Sequence, residues 1–270
     1  MVLAAGVLGT LELLYRCRDE ARTLPALSPV LGQVVRTNSE AVVGILSNDA
    51  KADLTHGPTV SSHFYPDEIT HTTQNRLPQS YTFMKWYSGP LVDGDHPGRR
   101  ALKVLAECLR HPLRSTASLR ARDWFGGATL LTVMQNLDNQ LAFRYGRGLF
   151  TLYGKGLQSN PTSGRSAPTY LPAANRAATE YAHHSQGIPL NSLLESMLNN
   201  SVTAHILGGC PIGKDPSSGV VDSNHQVFGY LGLSIADTSV IPVNMGVNPS
   251  LTITALVERF MSLIPPANQR

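Results

Sequence analysis

The chain has 270 residues, 42% hydrophobic and 15% charged, which is enough to bury a sizeable core and unlike the composition of a disordered chain. A net charge of +3 excludes little by itself, but no nucleic-acid motif accompanies the one basic stretch, and no nucleic-acid partner is expected. Cys17, Cys108 and Cys210 lie far apart and form neither a CxxC pair nor an even disulfide set. They point to a reducing, cytoplasmic compartment and away from structural zinc or any other metal.

In chain order, MVLAAGVLGTLELLYRCRD begins at once with an apolar strand, turns through Gly6 and Gly9, and becomes a helix bearing Leu11, Leu13 and Leu14. This is similar to half of a βα nucleotide-binding unit, in which glycines let backbone approach a cofactor. A plain tight turn explains the same two glycines. A buried strand with no strand partner before it reads as a chain that starts mid-fold. Glu12 and Arg16 interrupt the apolar run, so Met1–Tyr15 is no transmembrane span. It also lacks the basic start and small-residue cleavage site of a signal peptide.

Between Thr37 and Thr82 the segments AVVGIL and TVSSHFYP alternate as strands. From Arg99 to Arg122 seven cations, Arg99, Arg100, Lys103, Arg110, Arg114, Arg120 and Arg122, meet the single acid Glu107. Leu102, Leu105 and Leu109 recur there at helical spacing, giving a basic amphipathic helix that is either a solvated face or a peripheral membrane contact. ATLLTVMQ and LAFRYG read as strands about a turn at Leu137–Asn139. A helix is expected over 173–185 and another over 191–198, the latter capped by Asn191.

The last seventy residues are the most specific. TAHILGGCPIG, GVVD, VFGYLGLSIADTSVIP and GVNPSLTITALVER follow one another in that order. Together they resemble the C-terminal signature of the GMC (glucose-methanol-choline) oxidoreductases, in the cholesterol-oxidase-like branch. VRTNSEAVVG, SSHFYPDE, LLTVMQNLDN and AAGVLGT extend the resemblance over nearly the whole chain.

The resemblance implies an α/β (α+β) fold: part of an FAD-binding lobe, and a substrate lobe with a mainly antiparallel sheet backed by helices. Residues 1–36 would be a remnant of the FAD lobe, 37–202 the substrate lobe, and 203–270 the segment returning to the FAD lobe. It also implies oxidation of the CH–OH group of a hydrophobic, sterol-like alcohol by hydride transfer to flavin. His205 and Asn248 would be the catalytic pair at the reacting oxygen, since an imidazole titrating near neutral pH suits holding that proton. Gly6, Gly9, Asp237, Thr238, Asn248, Pro249 and Ser250 would line the FAD site.

Each of these residues also has a plainer reading. His205 beside Ile206 and Leu207 is the kind of histidine that packs against a backbone partner. Asp237 reads as a turn or cap residue. Asn248 followed by Pro249 reads as a helix N-cap with proline at the first helical position, which would aim free amides and the positive end of the helix at whatever lies ahead.

Two departures from the family pattern stand out. The substrate-side glutamate of cholesterol oxidases has no evident counterpart: Asp67 and Glu68 read as surface loop, and Thr72-Thr73-Gln74 stands where a carboxylate would be expected. No GxGxxG follows a strand, because YGRG (145–148) and YGKG (153–156) lack the third glycine. The ADP half of FAD is therefore expected to require a separate chain or missing half. The alternative to an enzyme is a catalytically inactive ligand-binding or interaction module. A Ser-His hydrolase is disfavoured because there is no GxSxG.

Overall fold

The computed structural model describes residues 1–148, 151–162 and 164–265. The chain opens with β1 (Val2–Leu3), α1 (Gly6–Tyr15), β2 (Val35–Arg36), β3 (Ala41–Leu46), β4 (Val60–Asp67), β5 (Thr70–Asn75) and β6 (Ser88–Pro90). Helix α2 (Pro97–Arg110) and the single turns α3 (Pro112–Ser115), α4 (Ala117–Arg120) and α5 (Trp124–Gly127) follow. Then come β7 (Ala128–Gln135), β8 (Leu141–Arg147), β9 (Lys155–Pro161), α6 (Pro172–His184), β10 (Ile188–Ser192) and α7 (Leu193–Ser196). The last elements are β11 (Leu207–Gly208), β12 (Ser234–Ile235) and α8 (Ser250–Ser262). The architecture is the expected mixture of helices with mainly antiparallel sheets.

These elements pack as two units: unit 1 comprises residues 1–38, 137–167 and 205–270, and unit 2 comprises 39–136 and 168–204. The hairpin β8–β9 lies within the stretch 37–202 assigned from sequence to the middle lobe, yet it belongs to unit 1. The reason is pairing: Val35 of β2 is in register with Leu141 of β8, and Arg36 Nη1 donates to Asp138 Oδ1 at 2.5 Å and to the Asn139 carbonyl at 2.9 Å.

Unit 1 holds two sheets. One is antiparallel in the order β11-β2-β8-β9, and the other is the parallel pair β1-β12. Val7, Leu11 and Leu14 share one face of α1 at helical spacing and are buried in a core with Leu207, Val220, Ile235 and Val240. Phe260 of α8 closes part of it by stacking at 5.4 Å on the buried His225 ring.

Unit 2 is a six-stranded sheet, β4-β5-β7-β3-β10-β6. Alternation decides its two faces: Ala41, Val43 and Ile45 of β3 with Leu131 and Val133 of β7 pack under Ala174, Ala178 and Ala182 of α6. Small alanines let the helix lie close to the sheet. β4 is the edge strand, exposed along its length and irregular in register at Val60/Ser62 and Phe64/Asp67, as edges that avoid further pairing commonly are.

The expected helix over 191–198 is shorter than predicted. Asn191 pairs with Val43 and Gly89 as a strand residue, and Ser192 caps α7 by accepting from Leu194 N. β-Pairing outcompetes the local capping preference of asparagine. No described helix is long and apolar enough to cross a membrane.

Candidate active site

The first corner of the site is the C-terminal edge of the parallel pair. Val2 pairs with Ser234 and Leu3 with Ile235, so the turn at Gly6 and the residues after Ile235 leave the sheet on the same side, where ligands of parallel α/β sheets bind. Gly6 opens α1 with φ +68°, and a β-carbon there would meet open space within 4 Å. Helix α1 has no side-chain cap.

Thr10, one turn further, donates to Asp237 Oδ2 at 2.5 Å, while the Ser239 amide donates to Asp237 Oδ1 at 2.8 Å. Asp237 is thus a cap, as its plainer reading says, and it also clasps α1. Gly6, Gly9, Asp237 and Thr238 are therefore gathered in one corner by Thr10, a residue that nothing in its sequence context marks out.

The second corner is built by segment 36–38. Arg36 of β2 pairs with Leu207 of β11, two residues beyond His205. Asn38 Nδ2 donates to the Val247 carbonyl at 2.9 Å, and the Gly246 amide donates to Asn38 Oδ1 at 2.9 Å, one and two residues before Asn248. Asn244 Nδ2 is anchored on the carbonyls of Leu137 and Asn139 at 2.7 and 3.0 Å.

One short segment thus grips the loops that carry both predicted catalytic residues. It does so in a strained form: Asn38 and Ser39 are consecutive buried residues with φ of 55° and 49°, a left-handed conformation that only surrounding bonds sustain outside glycine. His205 and Asn248 are both half-buried.

Two local expectations are corrected here. Helix α8 begins at Ser250, with Pro249 as the flanking residue already in the right-handed region and no side-chain cap. Asn248 therefore lies two residues before the first residue of the helix and is not its N-cap. A proline following it disfavours the helical region for Asn248 but leaves its carboxamide unclaimed by the helix.

The glycines after His205 do admit a close neighbour, but it is the protein itself. A β-carbon on Gly208 (φ +75°) would lie 2.1 Å from the Val34 carbonyl oxygen, and one on Gly209 would lie 2.7 Å from Leu11 Cδ1. Beside them Cys210 is fully buried, and desolvation pushes its thiol well above the usual range. It is an inert core thiol rather than a nucleophile.

In unit 2 the carboxylates near β4 are exposed, as the sequence suggested for Asp67 and Glu68. Thr72 and Thr73 are buried in β5 with hydroxyls that have no hydrogen-bond partner. His71, also buried, has its Nε2 3.4 Å from His63 Nδ1, and burial together with His63 lowers its pKa.

The carboxylate that sequence reasoning overlooked is Glu195. It is 3% exposed, and burial pushes it up to about 8 against a bond from the Val42 amide and the nearby Arg100 charge, with Glu40 adding repulsion. Glu40, itself buried, accepts from Thr203 Oγ1 at 3.0 Å and from the Ala204 amide at 3.2 Å.

The chain belongs to the GMC oxidoreductase family: the family model of that description, in its C-terminal form, matches residues 122–256. Among curated proteins it is similar to a cholesterol oxidase from Mycobacterium tuberculosis (strain H37Rv), at 36% identity over 98% of this chain and 46% of the relative. A cholesterol oxidase from Acinetobacter baumannii is 34% identical over 98% of this chain and 47% of its own length. The chain thus spans just under half the length of these relatives. Among solved structures, pyridoxine 4-oxidase from Mesorbium loti superposes with a TM-score of 0.54 at 19% identity, covering 97% of this chain and 50% of that one. At that identity the likeness concerns the fold.

Proposed function

We propose that the chain carries the substrate-oxygen groups of an FAD-dependent alcohol oxidoreductase acting on the CH–OH group of a hydrophobic, sterol-like alcohol. The observation that carries this reading is the grip of segment 36–38 on both the 205–207 and the 246–248 loops. Family membership supplies the oxidoreductase class, and the cholesterol oxidases among its relatives supply the substrate class.

The residues fit an FAD at the corner described. Gly6 leaves open space beside the first turn of α1, Gly9 and Thr238 adjoin the Thr10–Asp237 clasp, and Asn248 and Pro249 lead into an uncapped helix that begins at Ser250. FAD bound there would supply the hydride acceptor. The imidazole of His205 takes or holds the proton of the substrate hydroxyl. The carboxamide of Asn248 donates to the substrate oxygen and fixes its orientation. The uncapped first turn of α8 presents amides and the positive end of the helix, which favours negative charge ahead of it. The ADP half of FAD would be held by a further polypeptide segment, since this sequence contains no GxGxxG.

The test is flavin binding and turnover by the chain co-expressed with a GxGxxG-bearing segment of a relative. Flavin that copurifies with the pair and oxidises a sterol alcohol, with dioxygen or an added electron acceptor reoxidising it, is the expected result. His205→Ala is expected to lower kcat by about 100-fold or more while flavin content is retained, and Asn248→Ala by a similar order. Full turnover by both variants would sink the assignment.

A further inference from the structure

Helix α2 turns its apolar side outward. With 100° between successive residues, Leu102, Leu105 and Leu109 fall within an arc of about 60°, and they are 67%, 50% and 83% exposed. The opposite side of α2 carries the buried Val104 and Arg100. The Arg100 guanidinium donates to the Thr169 carbonyl at 2.8 Å and to the carbonyl of Glu195. Rotating the leucines inward would break those bonds and leave a buried cation unpaired, so the outward orientation is fixed. In the short turn α3 that follows, Leu113 is 72% exposed.

Cations line one side of the leucine arc. Arg99, Lys103 and Arg110 fall on that flank, and Arg114, Arg120 and Arg122 follow along the chain, against Glu107 as the single acid from 99 to 122. The combination selects among occupants. A second copy of the same face would set cations against cations, and a nucleic acid would leave the leucines without a partner. An anionic bilayer satisfies both features, because its phosphates meet the cations and its acyl boundary meets the leucines. Segment 79–87 of the same unit, whose Lys85 carbonyl is held by Ser118 Oγ of α4 at 3.4 Å, also exposes aromatic side chains of the kind that partition to such boundaries: Trp86 is 65% and Phe83 55% exposed.

We propose that this face of unit 2 docks on an anionic lipid surface, with Leu102, Leu105, Leu109 and Leu113 at the headgroup–acyl boundary. The proposal does not depend on flavin or on the catalytic pair.

Vesicle flotation of the 270-residue chain tests it, with phosphatidylcholine vesicles prepared with and without phosphatidylglycerol. The chain is expected to float with the anionic vesicles, remain behind with the neutral ones, and dissociate as salt is raised. Leu102→Ala/Leu105→Ala/Leu109→Ala is expected to lower the partition coefficient at least about tenfold. Arg99→Glu/Arg110→Glu/Arg114→Glu is expected to do the same, and neither set should change the thermal melt, because all six side chains are exposed. Leu251→Ala, at an 82% exposed leucine of α8, is expected to leave partition unchanged. Failure of the wild-type chain to bind anionic vesicles, equal binding by wild type and the leucine variant, or a dimer that the leucine changes dissociate without any lipid binding would each overturn it.

Discussion

Unit 1 and unit 2 rest on different backbone frameworks. In unit 1 four of the strands are two residues long, and side chains brace the loops at long range along the chain: Thr10 holds Asp237, Arg36 holds Asp138, and Asn38 holds residues 246 and 247. In unit 2 a six-stranded sheet supplies the framework, and Arg100 and Glu40 fasten segments to it by bonds to Thr169, Thr203 and Ala204. Both units leave some buried polar atoms without a partner, among them His225 Nε2 and Asn244 Oδ1 in unit 1 and the hydroxyls of Thr72 and Thr73 in unit 2. Short strands and loops cannot hold a side chain in place through backbone pairing alone, so unit 1 depends more heavily on its side-chain braces.

This contrast can be broken experimentally, most forcefully at Gly208. Alanine there would need a left-handed backbone and would drive its β-carbon into the Val34 carbonyl. A loss of about 4 kcal/mol is expected in denaturant unfolding. A near-neutral result would show that β11 is loosely held and that unit 1 is less constrained than its bonds suggest.

At Glu195 the effect is smaller and depends on pH. Its folded pKa of about 8 lies above the ordinary 4.5, so the folded state binds the extra proton and stability falls as pH rises from about 4.5 to about 8. At pH 7 the loss amounts to roughly 3 kcal/mol. Glu195→Gln keeps the shape without the charge. It is expected to flatten that slope and to be the more stable protein at pH 7, as measured by urea unfolding across the range. An unchanged slope would mean that the carboxyl is solvated.

The finest probe is Asn38→Gly. Glycine adopts φ near +55° without strain, which returns about 1 kcal/mol, but it abandons the Gly246 amide and the Val247 carbonyl, which costs about 2–3 kcal/mol. A net loss of about 1–2 kcal/mol is expected, with faster hydrogen exchange at the Gly246 amide. If exchange there is unaffected, the backbone rather than the carboxamide positions the 246–248 loop.

The same contrast explains what could be read from the sequence. β3, β7 and α6 follow from β-branched alternation and from a helix-period row of alanines, because regular packing writes itself into local pattern. The four ordered C-terminal motifs identify the family. What stays hidden depends on partners distant in the chain. Asn191 has the local look of a cap, yet a strand claims it. Asn248 lies two residues before the first residue of the helix it was expected to cap. Strands β8 and β9 side with β2 because of a register that no window of residues reveals. The neutral state of Glu195 comes from burial, and its letter in the sequence suggests only a charge.

The chain passes from one unit to the other after residues 38, 136, 167 and 204. Every residue of unit 2 has therefore been synthesised by position 204, whereas β1 waits for its strand partner β12 until Ser234 and Ile235. On the ribosome unit 2 can complete itself while residues 205–270, about half of unit 1, are still to come, and β1 and α1 spend that interval without Leu207, Val220, Ile235 and Val240 of their core.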